Sequence, residues 1–169
     1  MKLLSLDLST SCSGWSVFQD GKLVEYGSIP EPTYKGKSKE RYPQRSGRVG
    51  KLMAEAIEDL VMEINPDIIV IEEASANGIA GVKSIKGLIQ LHGMVLYLLS
   101  SLKVYDTIIM ISPREWRNII GLKKEGDWKI ASVKKVNKLL NLQLTESEHD
   151  VADSILIGLS FYGRNLEKN

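Results

Sequence analysis

The chain has 169 residues, enough for a sizeable core, and we predict a single domain over residues 1–169. Its 22 Lys and Arg residues nearly balance its 21 Asp and Glu residues, so the net charge neither indicates nor excludes a nucleic-acid partner. Cys12 is the only cysteine, which excludes an intramolecular disulfide and disfavours a cysteine-based zinc site. Asp7 interrupts the apolar N-terminus and no apolar run reaches about 18 residues, so we expect a cytoplasmic protein without a signal peptide or membrane span.

The first 43 residues predict three antiparallel strands and a long loop. Residues 2–8, KLLSLDL, alternate as a strand does, and SGWSVFQDGKLVEYGSI predicts two more strands joined by a turn at Asp20 and Gly21. Residues 30–43 hold three prolines and many polar groups, which is typical of a loop. The chain is therefore expected to open with a three-stranded meander.

After this loop, helices and strands alternate. From Gln44 onwards, apolar residues recur at three- and four-residue steps, which predicts a helix, and DIIVIEE predicts a buried strand. Residues 83–102 predict a second helix that is apolar nearly all round, so we expect the sheet and a second subunit to bury it. VYDTIIMI predicts another strand.

Three helices complete the chain. Ser112 and Pro113 are placed as the cap and first residue of a short helix, a second helix follows, and a last one begins at Glu146. The resulting order is βββαβαβααα. It predicts an α/β fold with a mixed five-stranded sheet and helices on both faces.

Four carboxylates are expected to meet at one edge of this sheet. The first strand of such a sheet lies at the centre, beside the strand that follows the first crossover helix, so Asp7 and Glu72 become neighbours. In HDVADSIL, Asp150 and Asp153 are three residues apart and His149 and Asp153 four apart, which places them on one helix face. Apolar residues turn this helix towards the sheet, and its acidic turn then faces the strand ends.

Such carboxylates repel each other unless a cation neutralises them. Their oxygen ligands suit Mg²⁺, with Mn²⁺ as a substitute, and two ions about 3.5–4 Å apart can clamp a phosphodiester and activate water. Singly, most of these acids have an ordinary explanation: Glu72 and Glu73 mark the return of a strand to solvent, and Asp150 and Asp153 oppose a helix dipole. Asp7 differs, because an acid within a core strand is costly without a partner. Their joint occurrence in this order favours metal-assisted nucleic-acid hydrolysis.

Over nearly its whole length the chain resembles the RuvC family of Holliday junction resolvases, in the RNase H-like superfamily. LSLDLSTSCSGWSVF is similar to the family's first strand and hairpin, and IIVIEEA to the strand with its catalytic Glu. KGLIQLHGMVLYLL is similar to its dimer-forming helix, ISPREWRNIIG to its Pro-Arg segment, and HDVADSILIGLSF to its closing Asp-x-x-Asp helix. Ser75 departs from this pattern, since the family has an aromatic residue there that is thought to wedge at the junction.

The resemblance implies an RNase H-like fold and a homodimer formed through the helix at residues 83–102. It implies two Mg²⁺ per active site during catalysis and paired nicking of a four-way DNA junction. The compact, divergent sequence is more similar to a bacteriophage relative than to the cellular enzymes. His149 is a secondary ligand candidate. The catalytic and metal-binding residues implied are Asp7, Glu72, Asp150 and Asp153.

Cations are clustered although the net charge is only +1. Residues 35–51 carry seven basic residues against one acid, and residues 114–138 carry eight against three. Such patches bind phosphates in a salt-sensitive way, although solvated surfaces have a similar composition. Trp116 and Trp128 are placed either to stack on bases or to pack in the core. The predicted DNA contacts are Arg45, Arg48, Arg114, Arg117, Lys123, Lys124 and Lys129, of which Arg117 and Lys129 correspond to basic residues near the family's active site.

Three alternatives stay open. An actin-like sugar kinase or chaperone ATPase has a similar first hairpin, like DLSTSCSG, but places its nucleotide between two such domains. An RNase H-like nuclease acting on RNA would carry the same acids, and a catalytically silent DNA-binding dimer the same basic patches. His92 is predicted to be a core or interface histidine, and Cys12 a packing residue rather than a nucleophile.

Overall fold

The computed structural model describes residues 1–32, 44–75, 82–124 and 126–166, with only the backbone described at 82–84 and 164–166. Most of the predicted long loop therefore lies outside the described residues, as does the first half of the basic cluster at residues 35–51.

One mixed sheet organises the molecule, with strand order β3-β2-β1-β4-β5. The first three strands are antiparallel, and β1, β4 and β5 run parallel, as predicted. Asp20 and Gly21 both have positive φ at the turn between β2 and β3, which matches the twist of a tight hairpin. The strands are β1 (Lys2–Asp7), β2 (Cys12–Gln19), β3 (Lys22–Pro30), β4 (Ile68–Glu72) and β5 (Ile108–Ile111).

Five α-helices flank the sheet, and the predicted order of strands and helices is confirmed. Ser112 accepts a hydrogen bond from the Glu115 amide at 3.3 Å and Pro113 follows it, so the predicted cap is also confirmed. None of the described helices is long and apolar enough to cross a membrane. The helices are α1 (Gln44–Ile64), α2 (Val82–Leu99), α3 (Pro113–Ile120), α4 (Trp128–Leu140) and α5 (His149–Leu166).

Two elements begin later than predicted, and the helix predicted over residues 83–102 ends earlier, at Leu99. The strand expected at VYDTIIMI begins only at Ile108, because Lys103–Thr107 forms a 3₁₀ turn in which the Thr107 hydroxyl donates to the Val104 carbonyl at 2.8 Å. The last helix begins at His149 rather than Glu146. A separate 3₁₀ turn, Glu146–Glu148, precedes it and is closed by the Glu148 carboxylate, which accepts from the Thr145 amide at 2.8 Å.

The sheet divides the core into two layers, since alternate strand residues point to opposite faces. On one face α1 and α2 pack large apolar side chains such as Met53 and Leu91 against Leu4 and Leu6. On the other face α5 covers β1 and β2, with α3 and α4 packed beside it, around Leu3 and Phe18. Helices on both faces are therefore confirmed.

The packing of α5 on the sheet is close because small residues face it. A Cβ at Gly14 would overlap the Asp150 carbonyl, so only glycine allows the first turn of α5 to reach β2. The Ser5 hydroxyl donates to the Ser154 carbonyl at 2.8 Å and lies 2.7 Å from the Ser16 hydroxyl. These contacts set the start of α5 against the carboxyl end of β1.

Candidate active site

Strand pairing brings two of the predicted acids together. Leu6 pairs with Ile71 across the parallel strands β1 and β4, and the next residues, Asp7 and Glu72, end those strands side by side. Both side chains are half-buried. The carboxyl ends of neighbouring parallel strands thus supply two adjacent carboxylates.

The first turns of α5 bring the other two acids to the same place. Asp7 is the register partner of Gly14, and the Asp150 backbone lies directly on Gly14. Asp153 follows on the same helix, three residues later, and is also half-buried. We call Asp7, Glu72, Asp150 and Asp153 together the acid cluster.

The electrostatics of Asp7 and Asp153 show that the four carboxylates act on each other. Burial raises the pKa of Asp7 well above its ordinary value, and the charges of Glu72, Asp153 and Asp150 raise it further. Burial also raises the pKa of Asp153 to about 7; Glu72 and Asp150 add to this rise, and Ser132 and Arg117 oppose it. Confined like charges disfavour ionisation, and a cation between them would remove that penalty.

Groups on both faces of the sheet hold Glu72. Its carboxylate accepts a hydrogen bond from the Trp116 indole at 2.7 Å and lies 4.0 Å from the Arg117 guanidinium. Its main-chain carbonyl lies 2.8 Å from His92 Nε2, while His92 Nδ1 lies 2.9 Å from the Leu88 carbonyl. Two elements distant in sequence, α3 and α2, therefore restrain this one residue.

Arg117 is held between two indole rings. Its guanidinium carbon lies 4.9 Å from the ring centroids of both Trp116 and Trp128, a cation–π arrangement that limits its rotation. Its Nε is buried without a hydrogen-bond partner among the described residues. The two predicted tryptophans thus differ in surroundings: Trp116 is fully buried and Trp128 is half-buried.

Lys129 and His149 form a chain of polar contacts that ends at Asp150. Lys129 Nζ lies 3.2 Å from His149 Nε2, and His149 Nδ1 lies 2.9 Å from the Asp150 carboxylate. An ammonium group only donates hydrogen bonds, so this geometry favours the tautomer in which Nε2 accepts and Nδ1–H donates. His149 therefore contacts the acid cluster through Asp150, with its other nitrogen engaged by Lys129.

The carboxylate oxygens of the acid cluster are suited to a hard divalent cation. Among the described residues, no three His, Cys, Asp or Glu side chains already form a group able to hold a metal. The acid cluster nevertheless presents carboxylate oxygens, the ligands of hard cations, and Asp153 Oδ1 is buried without a hydrogen-bond partner in that part of the chain. Together with the raised pKa values of Asp7 and Asp153, these features fit a divalent cation that draws the carboxylates together.

The other predicted DNA contacts form two groups, one on α1 and one on α3 with the segment after it. Ser46, near the start of α1, neighbours Thr10 and Gly87, so the first turns of α1 lie at the carboxyl edge of β1. Arg45 is exposed there and pairs with Glu31 at 3.0 Å, whereas Arg48 is half-buried. The second group lies on α3 and the segment after it, and its residues are exposed: Arg114, Lys123 and Lys124.

Sequence reasoning missed two supports of the site. Nothing local to His92 or Gly14 indicates that one reaches Glu72 and the other Asp150. A histidine on an otherwise apolar helix and a glycine within a strand were the available signals. Burial raises the pKa of the Cys12 thiol, which keeps it protonated and is consistent with its predicted role as a packing residue.

The sheet order, the helices on its two faces and the acids at its carboxyl edge define the class of structure. The chain has the RNase H-like fold, as predicted. Neither a sequence model of a known family nor a curated protein sequence matches it.

Solved structures with this fold include several Holliday junction resolvases. Thermus thermophilus RuvC, solved in complex with a Holliday junction substrate, has a TM-score of 0.67 and 14% identity, over 99% of this chain and 96% of that one. The yeast mitochondrial Holliday junction resolvase has a TM-score of 0.63 and 15% identity, over 98% and 82%. The Fowlpox virus resolvase, also solved with junction DNA, has a TM-score of 0.56 and 13% identity, over 94% and 97%. The bacteriophage origin stays a prediction.

Proposed function

We propose that this chain is a structure-selective endonuclease that resolves four-way DNA junctions by metal-dependent phosphodiester hydrolysis. The observation that carries the proposal is the convergence of Asp7, Glu72, Asp150 and Asp153 at one sheet edge, with mutual repulsion that a cation would relieve. The shared fold of several junction resolvases supports the choice of substrate.

The acid cluster would hold two Mg²⁺ ions, or Mn²⁺ in their place. When bound, such ions stabilise the attacking and leaving oxygens of a phosphodiester and lower the pKa of the attacking water. The residues of the chain supply position and charge. Trp116 and Arg117 orient the Glu72 carboxylate, and His149 orients Asp150.

The cations at the rim of the acid cluster would bind the DNA backbone on either side of the cut. Arg117 and Lys129 reach residues of the cluster or its immediate neighbours and would contact the phosphates nearest to the scissile bond. Arg45 and Arg48, on α1, would contact the strand as it leaves the site on the other face. Phosphate contacts of this kind position DNA without reading its sequence.

We propose that the active form is a homodimer, because a junction resolvase must cut two strands. The exposed face of α2 supports this arrangement: Ile89 and Tyr97 are 56% and 77% exposed, and in the described part of the chain nothing lies within 4 Å of a Cβ added at Gly93 between them. These residues recur every four positions, so they form one apolar stripe on the helix. Two copies packed through this stripe would place their acid clusters on one molecule of DNA.

The decisive experiment incubates the protein with a synthetic four-way junction, a linear duplex of the same sequence and a structured RNA, each with Mg²⁺ or with EDTA. We expect paired, Mg²⁺-dependent incisions in the junction and little cutting of the duplex. Efficient cleavage of RNA beside an intact junction would instead identify an RNA nuclease, and metal-independent binding without incision a silent DNA-binding protein.

Light scattering tests the homodimer on the same preparation. Ile89→Glu places a charge in the apolar stripe of α2 and should convert dimers to monomers. Met62→Glu is the matched control, because Met62 is 54% exposed on α1, outside the stripe. An unchanged mass for Ile89→Glu would contradict α2 as the interface.

A further inference from the structure

The lysines of the second basic cluster lie on two different sides of α4. Lys129, in the first turn, reaches His149 beside the acid cluster. Lys134, Lys135 and Lys138 follow on the same helix, and at about 100° per residue they project from the side opposite Lys129. The cluster therefore cannot act on the scissile phosphate as one unit.

Lys134, Lys135 and Lys138 join Lys123 in lining an open groove of about 550 Å³ between the end of α3 and α4. We call this the lysine groove. Gly121 ends α3 in the left-handed region, with φ of 61°, and turns the chain so that Lys123 faces α4. The other residues that line the lysine groove carry no charge: Gly121, Leu122, Ala131 and Leu139.

The lysine groove concentrates positive charge without compensation. No acid among the described residues lines it, and none of its four lysines forms an ion pair with one of them, whereas Lys51 on α1 pairs with Glu55 at 2.8 Å. Lys134 and Lys138 are four residues apart, an arrangement of like charges that destabilises a helix. A polyanion bound in the groove would remove this repulsion.

The lining also distinguishes between kinds of polyanion. Single-stranded nucleic acids are held by aromatic side chains on which bases stack, and no aromatic residue in the described part of the chain lines the groove. Several positive charges along a surface without stacking partners suit the phosphate backbone of a duplex, whose bases are already paired.

We propose that the lysine groove binds the phosphate backbone of a duplex DNA arm away from the cut strand. This inference rests on the proposed function and adds a second contact to it. Lys138 is nine residues beyond Lys129, which is about 14 Å along the helix axis, or about four base-pair steps of duplex. The groove thus holds an arm at a distance from the acid cluster and contributes affinity and orientation rather than chemistry.

The test compares two double variants that lose the same charge. Lys134→Gln with Lys138→Gln alters the groove; Lys22→Gln with Lys103→Gln alters exposed lysines at the opposite end of the sheet. Binding of a labelled four-way junction in EDTA is followed by fluorescence anisotropy over a series of salt concentrations. We expect the groove variant to bind roughly tenfold more weakly and to lose about 1.8 from the slope of log affinity against log salt.

The control variant should keep the wild-type slope, and both variants should cut a saturating junction at the wild-type rate in Mg²⁺. Equal slopes for the two variants would overturn the proposal. It would also be overturned if the groove variant bound an RNA duplex more weakly than the wild type but bound the DNA junction equally well. A lower cutting rate at saturation for the groove variant would also overturn it, because the groove would then belong to the active site. Failure of the proposed function is distinct: the wild type would cut no junction, yet the salt slope would still depend on the groove.

Discussion

The two faces of the sheet hold the acid cluster in different ways. On the α5 face, backbone approaches backbone across small residues, with Gly14 against the Asp150 carbonyl and the Ser5 hydroxyl bonded to the Ser154 carbonyl. On the α1–α2 face, large apolar side chains fill the space, and the described polar link to the cluster is His92, through the Glu72 carbonyl. On the α5 face, the lack of side-chain atoms at Gly14 allows helix and strand backbones to touch. On the α1–α2 face, the volume of the apolar side chains determines how far the helices lie from the sheet.

This difference has consequences for tolerance to mutation. A packed layer of long side chains adjusts to a small change by shifting rotamers, at a cost of about 1–3 kcal/mol when a methylene is added. A backbone-to-backbone contact has no rotamers to shift, so an added atom moves the whole element. The α5 face should therefore be the more sensitive one, and α5 carries two of the four acids.

The largest effect is expected at Glu72, which both faces restrain. Glu72→Gln keeps the shape but removes a charge from the acid cluster, and it should lower the cutting rate about a thousandfold or more. Glu73→Gln is the matched control, since Glu73 is exposed and its amide bonds to the Ile111 carbonyl through the backbone. Single-turnover cleavage of a four-way junction measures both. Similar losses in the two variants would break the assignment of Glu72.

Gly14→Ala tests the α5 face directly. The added methyl group overlaps the Asp150 carbonyl and displaces the start of α5, so we expect about a hundredfold slower cutting and about 3 kcal/mol less stability. Gly47→Ala, in α1, is the control, because no atom of the described residues lies within 4 Å of its added Cβ. It should be neutral or slightly stabilising. Thermal unfolding and cleavage rates that match for the two variants would refute the contrast between the faces.

Burial of Asp153, with a further contribution from repulsion within the acid cluster, predicts an unusual pH dependence of stability. With the pKa of Asp153 raised to about 7, the folded protein keeps a proton that the unfolded chain releases near pH 4. Raising the pH from about 4 to about 7 without metal should therefore favour unfolding, by about 3 kcal/mol.

Asp153→Asn should remove part of the loss of folding stability between pH 4 and pH 7, and Mg²⁺ should restore the stability of the wild type at pH 7. Melting temperatures measured in EDTA and in Mg²⁺ across this range provide the check. Asp59→Asn, on the exposed surface of α1, is the control and should follow the wild type. Parallel curves for the wild type and Asp153→Asn would contradict the raised pKa of Asp153.

The smallest effect is expected on the α1–α2 face, at His92. His92→Leu fills a similar volume but leaves the Glu72 carbonyl without its imidazole partner, and we expect about a tenfold loss of cutting rate with unchanged junction binding. His92→Gln retains a donor and should recover part of the rate. A higher cutting rate for His92→Gln than for His92→Leu would show that the hydrogen bond matters rather than packing alone. Equal rates for the two variants would argue against a role for the hydrogen bond.

Local patterns were sufficient for most of the fold. The period of apolar residues predicted α1 from Gln44, the Asp20-Gly21 turn predicted the hairpin, and Ser112 with Pro113 predicted the start of α3. These signals act within a few residues, so a single sequence contains them. The late starts of β5 and α5 have the same origin, because Thr107 and Glu148 each bond to residues three positions away in ways that apolar periodicity does not register.

The sequence by itself also determined which four acids belong together, since the order of strands places Asp7 beside Glu72 and the apolar face of α5 turns its acids inward. Only the tertiary structure decided what restrains them. Glu72 meets His92 and Trp116 across 20 and 44 residues of chain, and such contacts leave no local pattern.

The second basic cluster shows the same limit. Composition identified its charge, but only the docking of α4 on α5 separated Lys129 from the lysines on its other side. The side of a helix that faces a site depends on what the helix packs against, and that is a property of the folded chain.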